Sequence, residues 1–220
     1  MLLNDFVRTK SLSDTLFGIL TNALSMEAAL PAIHEHREAD LSRDQRRAIA
    51  ALLDSVWPRE HETLDELIDV FFGAAHRNQP EGRSATQVGL RRFVVWEGNR
   101  AVAHAKTFQR TIFTDLGPID VMALAGVCVA PTHRGSGLGV AISRKALAQV
   151  DWGDFSVSLF QTLVPGFYEK QGARVVHNPF INSKNKQDPD ASPWADAHVM
   201  IYPRHYPWPD GVIDLNGSGY

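Results

Sequence analysis

The chain has 220 residues and a mass of 24.4 kDa; 44% of its residues are hydrophobic and 21% are charged. That composition suits one large globular domain or two small ones and excludes a chain disordered throughout. A formal charge of −3 supplies no global positive field for nucleic acid or an anionic membrane, and the single cysteine, Cys128, excludes an intrachain disulfide and a zinc site built on several thiolates.

No apolar run approaches the roughly 20 residues that span a bilayer. Leu2 and Leu3 are followed at once by Asp5, Arg8 and Lys10, which breaks the apolar core of a secretory signal. The expectation is a cytoplasmic protein with no membrane and no nucleic-acid partner.

In chain order, Ser11 to Leu30 has Leu12, Leu16, Ile19, Leu20 and Leu24 at helical spacing, and Pro31 ends the pattern. Residues 1–31 therefore read as an N-terminal helical extension, and 32–220 as one domain with a C-terminal tail. The apolar face of the extension would be core or a dimer surface, so a homodimer stays open. Ile33 to His36 is a short strand candidate. Ser42 and Gln45 form a capping box for a helix that buries Ile49, Leu52, Leu53 and Val56 and stops before Pro58. A third helix runs from Leu64 to about Ala75.

Strands then dominate. Phe93 to Trp96 and Val102 to Phe108 flank a turn at Gly98-Asn99. Val121 to Ala130 is apolar throughout, which predicts a strand covered on both faces. Gly137 to Val150 is a helix, Ser156 to Phe160 a strand, and Pro165 to Gln171 a short helix stopped by Gly172. Arg174 to His177 and His198 to Tyr202 complete the strands. Helices followed by alternating strands and helices predict an α/β (α+β) sheet domain.

The chemistry concentrates in Pro131-Thr132-His133-Arg134-Gly135-Ser136-Gly137-Leu138-Gly139, between the apolar strand and a helix. Glycines allow close backbone approach to a ligand, and the first helix amides have no internal partners. Together with the helix dipole and Arg134 they form an anion site, suited above all to phosphate. The lysine of a P-loop is missing, and the Gly-x-Gly-x-Gly spacing is not that of a dinucleotide-binding unit.

Val127-Cys128-Val129-Ala130-Pro131 followed by Arg134 to Gly139 resembles the acyl-CoA pyrophosphate motif of the GNAT N-acetyltransferases. Phe167-Tyr168-Glu169-Lys170-Gln171-Gly172-Ala173 resembles that family's second motif. The resemblance covers about Ile33 to Tyr202. It implies a mixed, mostly antiparallel sheet flanked by helices and splayed between its fourth and fifth strands, with acetyl-CoA as donor and pantetheine in the gap. It also implies that Val127 and Val129, either side of Cys128, give backbone bonds to pantetheine. By the same resemblance Arg134, Gly135, Ser136, Gly137, Leu138 and Gly139 hold the pyrophosphate, and Tyr168 protonates the departing thiolate. The acceptor would be a primary amine on a small molecule.

Ala103-His104-Ala105 with Gln109-Arg110, and Trp208 to Gly217, resemble the aminoglycoside 2′-N-acetyltransferases and the nodulation N-acyltransferases, both of which act on amino sugars. The glutamate that helps activate the amine in the former aligns with Ala125. His104 is a candidate base beside the cleft, with a core histidine as the structural reading. A longer acyl donor, or an acyl-CoA sensor without turnover, are the alternatives. Cys128 reads as a small buried hydrophobe rather than a nucleophile. His34 and His36 share a strand face but lack further ligands, so no metal is expected. The polar stretch Asn178 to Pro193 reads as an acceptor loop or a surface loop.

Overall fold

A computed structural model describes residues 31–60, 63–72 and 88–220. The expected Ser11–Leu30 helix lies outside them. Ala32–Tyr220 forms one unit. Its order is β1 (Ile33–Arg37), α1 (Arg43–Val56), α2 (Leu64–Phe72), β2 (Val88–Glu97), β3 (Arg100–Thr114), β4 (Gly117–Val129) and α3 (Leu138–Asp151). Then come β5 (Ser158–Thr162), α4 (Pro165–Glu169), β6 (Arg174–Val176), β7 (Phe180–Ile181), β8 (His198–Tyr202) and β9 (Ile213–Asp214). No described helix is long and apolar enough to cross a membrane.

The strands form one mixed sheet in the order β1-β2-β3-β4-β5-β8-β6, with β9 pairing β3 and β7. Every neighbour along the main path is antiparallel except β4 and β5, which run parallel. This is the α/β architecture expected from the sequence.

Local chemistry explains the helices. At α1 the Ser42 hydroxyl accepts from the Gln45 amide, and the Gln45 side chain accepts from the Ser42 amide, which satisfies two orphan donors. Its apolar stripe buries Ile49, Leu52 and Leu53, each worth roughly 1.5–3 kcal/mol relative to exposure. With α2 this stripe covers one sheet face, against Val94, Ala101 and Cys128. The other face carries α3, where Leu138, Ile142, Ala146 and Leu147 meet Phe93, Ala103, Ala105, Met122 and Leu124. The apolar strand is thus covered on both sides.

Three strands differ from the sequence expectation, two of them through partners distant in the chain. β3 continues six residues beyond Phe108, to Thr114, pairing with the first half of β4, and Arg110 there donates to the carbonyls of Leu215 (3.1 Å) and Ser218 (3.2 Å).

 The Asn178–Pro193 stretch contains β7, which pairs with β9 in the tail, and β9 in turn pairs with Phe113. Two-residue strands have no periodicity to read, and they exist only through these tertiary partners. The strand expected at Ser156 to Phe160 sits two residues later, at Ser158–Thr162.

Candidate active site

The site begins where the sheet comes apart. β5 pairs with β4 only at Met122–Ser158 and Ala123–Leu159. Beyond those pairs β4 runs on to Val129 with no further β5 partner, so Leu124 to Val129 border a gap. In that gap β4 carries a bulge. The β3–β4 register passes from Lys106–Ala125 to His104–Cys128, so two steps on one strand match three on the other. Gly126 takes the extra step at φ +58, where a side chain is strained, and a Cβ there would lie 3.3 Å from His104 Cε1. The bulge re-aims the amides that follow it, Val127 first.

His104 fixes that bulge. Its Nδ1–H donates to the Gly126 carbonyl at 2.7 Å, and its Nε2 accepts from Arg92 Nη1 at 3.1 Å. The ring is fully buried, and burial, reinforced by Arg92, holds its pKa well below the usual histidine range. A base needs a lone pair facing the cleft, and here both nitrogens are engaged. Arg92 is itself buried. Its Nε donates to Glu38 Oε2 at 2.6 Å, and its guanidinium lies 3.9 Å from the centre of the Phe72 ring.

The glycine-rich segment follows β4. A 3₁₀ turn at Pro131–His133 leads to Arg134, whose Nε donates to the Val129 carbonyl at 3.3 Å. Gly135 (φ +79) and Gly137 (φ +84) are left-handed, and a Cβ on Gly135 would meet open space. The conformation requires glycine, and the space beside the loop is room for a ligand. Gly137 is the N-cap of α3 and offers no side-chain cap, so the first amides of the helix stay open to an anion. Leu138 is buried in the core and can act here only through its backbone. The Ser136 hydroxyl donates to the His133 carbonyl at 2.6 Å and shapes the turn. A Cβ on Gly139 would make ordinary contacts with Phe167 and Val129.

Tyr168 sits on α4, across the gap from the bulge. Its ring packs between Phe160 (centroids 4.7 Å apart) and Phe167 (4.8 Å). Burial, then the Cys128 thiol and the Asp196 carboxylate, push its pKa above the ordinary tyrosine value. Tyr168 therefore keeps its proton through the physiological range. Cys128 is buried against α1 and α2, and burial pushes its thiol up to about 12, so no thiolate is present at neutral pH.

Tyr168, Val127, Gly126 and Ala125 line a cleft of about 400 Å³, enough for a small molecule. Lys106, Asp196 and Tyr220 line it too. Of these, Lys106 and Tyr220 had no signal in the motifs. Lys106 stands opposite Ala125. Its detectable trace is the recurrence of His104, Lys106 and Arg110 on one face of a strand whose other face carries Ala103 and Ala105. His34 and His36 stack 6.3 Å apart, with the Trp96 indole donating to His36 Nε2. No metal-holding group of three or more His, Cys, Asp or Glu converges among the described residues.

A strand–glycine loop–helix unit beside a splayed, bulged strand is the arrangement that the sequence resemblance implies for an acyl-CoA donor. Residues 39–176 match the family model described as an acetyltransferase (GNAT) domain, and the chain belongs to that family. Among solved structures, the Escherichia coli GNAT family N-acetyltransferase YhbS, in complex with CoA, is similar with a TM-score of 0.51 at 12% identity, over 84% of this chain and 88% of that one. Escherichia coli ElaA gives 0.48 at 16% identity, over 77% and 97%. A GCN5-related N-acetyltransferase from Kribbella flavida gives 0.48 at 16%, over 66% of this chain and 33% of that one, so the chain spans about a third of that protein's length. At these identities the likeness is one of fold. No curated protein matches the chain.

Proposed function

We propose that this chain is an acyl-CoA-dependent N-acetyltransferase that moves an acetyl group from acetyl-CoA to a primary amine of a small molecule, by direct attack in a ternary complex. The observation that carries the reading is the Gly126 bulge facing Tyr168 across the gap between β4 and β5. Acetyl-CoA supplies an acetyl group activated as a thioester.

The chain's own residues then have separable tasks. Arg134 and the amides of Gly135 to Gly139 hold the pyrophosphate, and the open edge of Val127 to Val129 holds the pantetheine arm. The amide at Val127 donates to the carbonyl oxygen as negative charge develops there. Tyr168 holds a proton for the departing sulfur. Asp196 lies near enough to act on Tyr168 and attracts the ammonium form of the acceptor, which gives up a proton to solvent before its free amine attacks the thioester carbonyl. His104 is a positioning residue that keeps the bulge in place, in the neutral tautomer its two bonds require. Amino sugars and aminoglycosides are acceptors to test first, on the likeness of Ala103 to Ala105 and of the tail.

Free-thiol release from acetyl-CoA, measured with a panel of amino sugars, aminoglycosides, polyamines and amino acids, tests the reading. Turnover of at least one amine is expected. Tight CoA binding without turnover of any amine would instead identify an acyl-CoA sensor, and no CoA binding would overturn both.

A further inference from the structure

The acceptor side of the cleft carries a charge that the reaction as proposed does not use. On β3, His104, Lys106, Phe108 and Arg110 alternate onto one face, while Ala103 and Ala105 face α3. Arg92 on β2 stands directly opposite Lys106, so three cations share this part of the sheet. Two of them are answered within the protein. Arg92 has Glu38 and the Phe72 ring, and Arg110 has the carbonyls of Leu215 and Ser218. Lys106 makes no hydrogen bond or ion pair with any described residue. Its ammonium lies 5.6 Å from the centre of the Phe108 ring and lines the cleft.

A second orphan stands beside it. The Tyr220 hydroxyl is buried and has no partner among the described residues, and Tyr220 lines the same cleft. Its ring packs edge-on against Phe108, centroids 5.2 Å apart, so Lys106 and Tyr220 flank one aromatic ring. A buried donor without a partner costs free energy, and a lysine ammonium next to a guanidinium costs more. The chemistry that satisfies an ammonium and a phenol together is an oxyanion. Tyr168 and the Asp196 carboxylate line the same cleft and suit an amine.

We infer that Lys106, with Tyr220 beside it, recognises an anionic group on the acceptor, so that the amine substrate also carries a carboxylate or a phosphate. This rests on the acyltransferase reading of the cleft. Burial and Arg92 push the Lys106 pKa down to about 8, which leaves it protonated at neutral pH and able to pair with an anion. A polycationic amine meets Lys106 and Arg92 as like charges. A base role would require the neutral amine of Lys106, and substitution by arginine separates the two roles, because arginine keeps the charge and cannot take a proton.

The test compares acceptors that differ in the anion: alanine against alaninamide, and glucosamine 6-phosphate against glucosamine. The readout is the ratio of kcat/KM within each pair. The unaltered protein is expected to favour the anionic member of at least one pair by about 10- to 100-fold, and the pair that shows the preference tells carboxylate from phosphate. Lys106→Met is expected to abolish the preference, Lys106→Arg to retain most of it, and Tyr220→Phe to reduce it about 2- to 10-fold. CoA affinity by calorimetry, expected unchanged in all three, reports that the variants are folded. Equal turnover within both pairs by the unaltered protein overturns the inference and leaves the acyltransferase reading standing, and needs no variant. An unchanged ratio in Lys106→Met also overturns it, and loss of all activity in Lys106→Arg assigns Lys106 the base role instead. If no amine is turned over, the acyltransferase reading fails, and calorimetry with N-acetylalanine and inorganic phosphate, in the unaltered protein and in Lys106→Met, still decides the anion site: Lys106-dependent binding supports it and none overturns it.

Discussion

The proposed donor and acceptor walls are made of different material. The donor wall of the proposal is backbone: the bulged strand, which borders the cleft, and beyond it two left-handed glycines and the uncapped first turn of α3. Its acceptor wall is side chains: Lys106 from β3, Asp196 from the segment before β8, and Tyr220 from the tail. A backbone wall can serve a donor whose phosphates and amides are the same in every reaction, because it offers only N–H and C=O groups. A side-chain wall can be altered one residue at a time without disturbing the first. The difference teaches that donor and acceptor preference are separable in this molecule, and mutation can test how far.

The largest expected effect falls where the walls meet. Tyr168→Phe should lower kcat about 10²–10⁴-fold, the usual worth of a positioned proton donor, with CoA affinity unchanged by calorimetry. On the donor wall, Gly135→Trp should abolish CoA binding by filling the open space beside the loop, and Arg134→Ala should weaken it about 10-fold, while alanine at Gly139 should leave the fold intact. Gly126→Ala should cost about 1–3 kcal/mol in urea unfolding, from the strained φ and the close approach to His104, and should lower kcat by disturbing the bulge.

The acceptor wall should respond in the opposite sense. Lys106→Met should stabilise the fold by about 1–3 kcal/mol at pH 7, since it removes a half-buried cation that Arg92 and Arg110 repel and that Glu38 only partly offsets. The pH dependence follows from the depressed pKa. Lys106 titrates near 8 in the folded protein against an ordinary 10.5. Between those values the unfolded chain holds the proton and the folded chain does not, so the penalty is full below about pH 8 and fades as pH rises toward 10. The stability gap between variant and parent should therefore close over that range. The smallest effect lies outside the cleft: Ser42→Ala should cost about 1 kcal/mol by opening the capping box of α1.

The same contrast explains what was legible in the sequence. The capping box at Ser42 and Gln45, the apolar run of β4 and the Arg134–Gly139 loop are contiguous, and each carries its own local chemistry, so each could be read before folding. The bulge at Gly126 was harder. A single glycine in an apolar run marks it, but its purpose appears only when His104 is seen donating to the Gly126 carbonyl. Lys106 was illegible because its significance is a missing partner, and a sequence does not show which charges are answered. Tyr220 and the far half of β3 depend on contacts more than a hundred positions apart, such as Arg110 to Leu215, that no window of residues contains.

The splay has a mechanical consequence. The two halves of the sheet are stitched at its centre by two β4–β5 residue pairs and one further bond, from the Met122 amide to the Val157 carbonyl at 2.9 Å. Such a short seam is a natural place for the structure to breathe, since few backbone bonds must break to open it. A pantetheine arm laid between the strand edges would bridge it further along. In hydrogen exchange, the amides around Met122 and Leu159 should be less protected than those of the long β3–β4 ladder, and CoA should slow them. The substrate would then be a structural member of the sheet while it is bound, and its departure would return the molecule to two loosely joined halves.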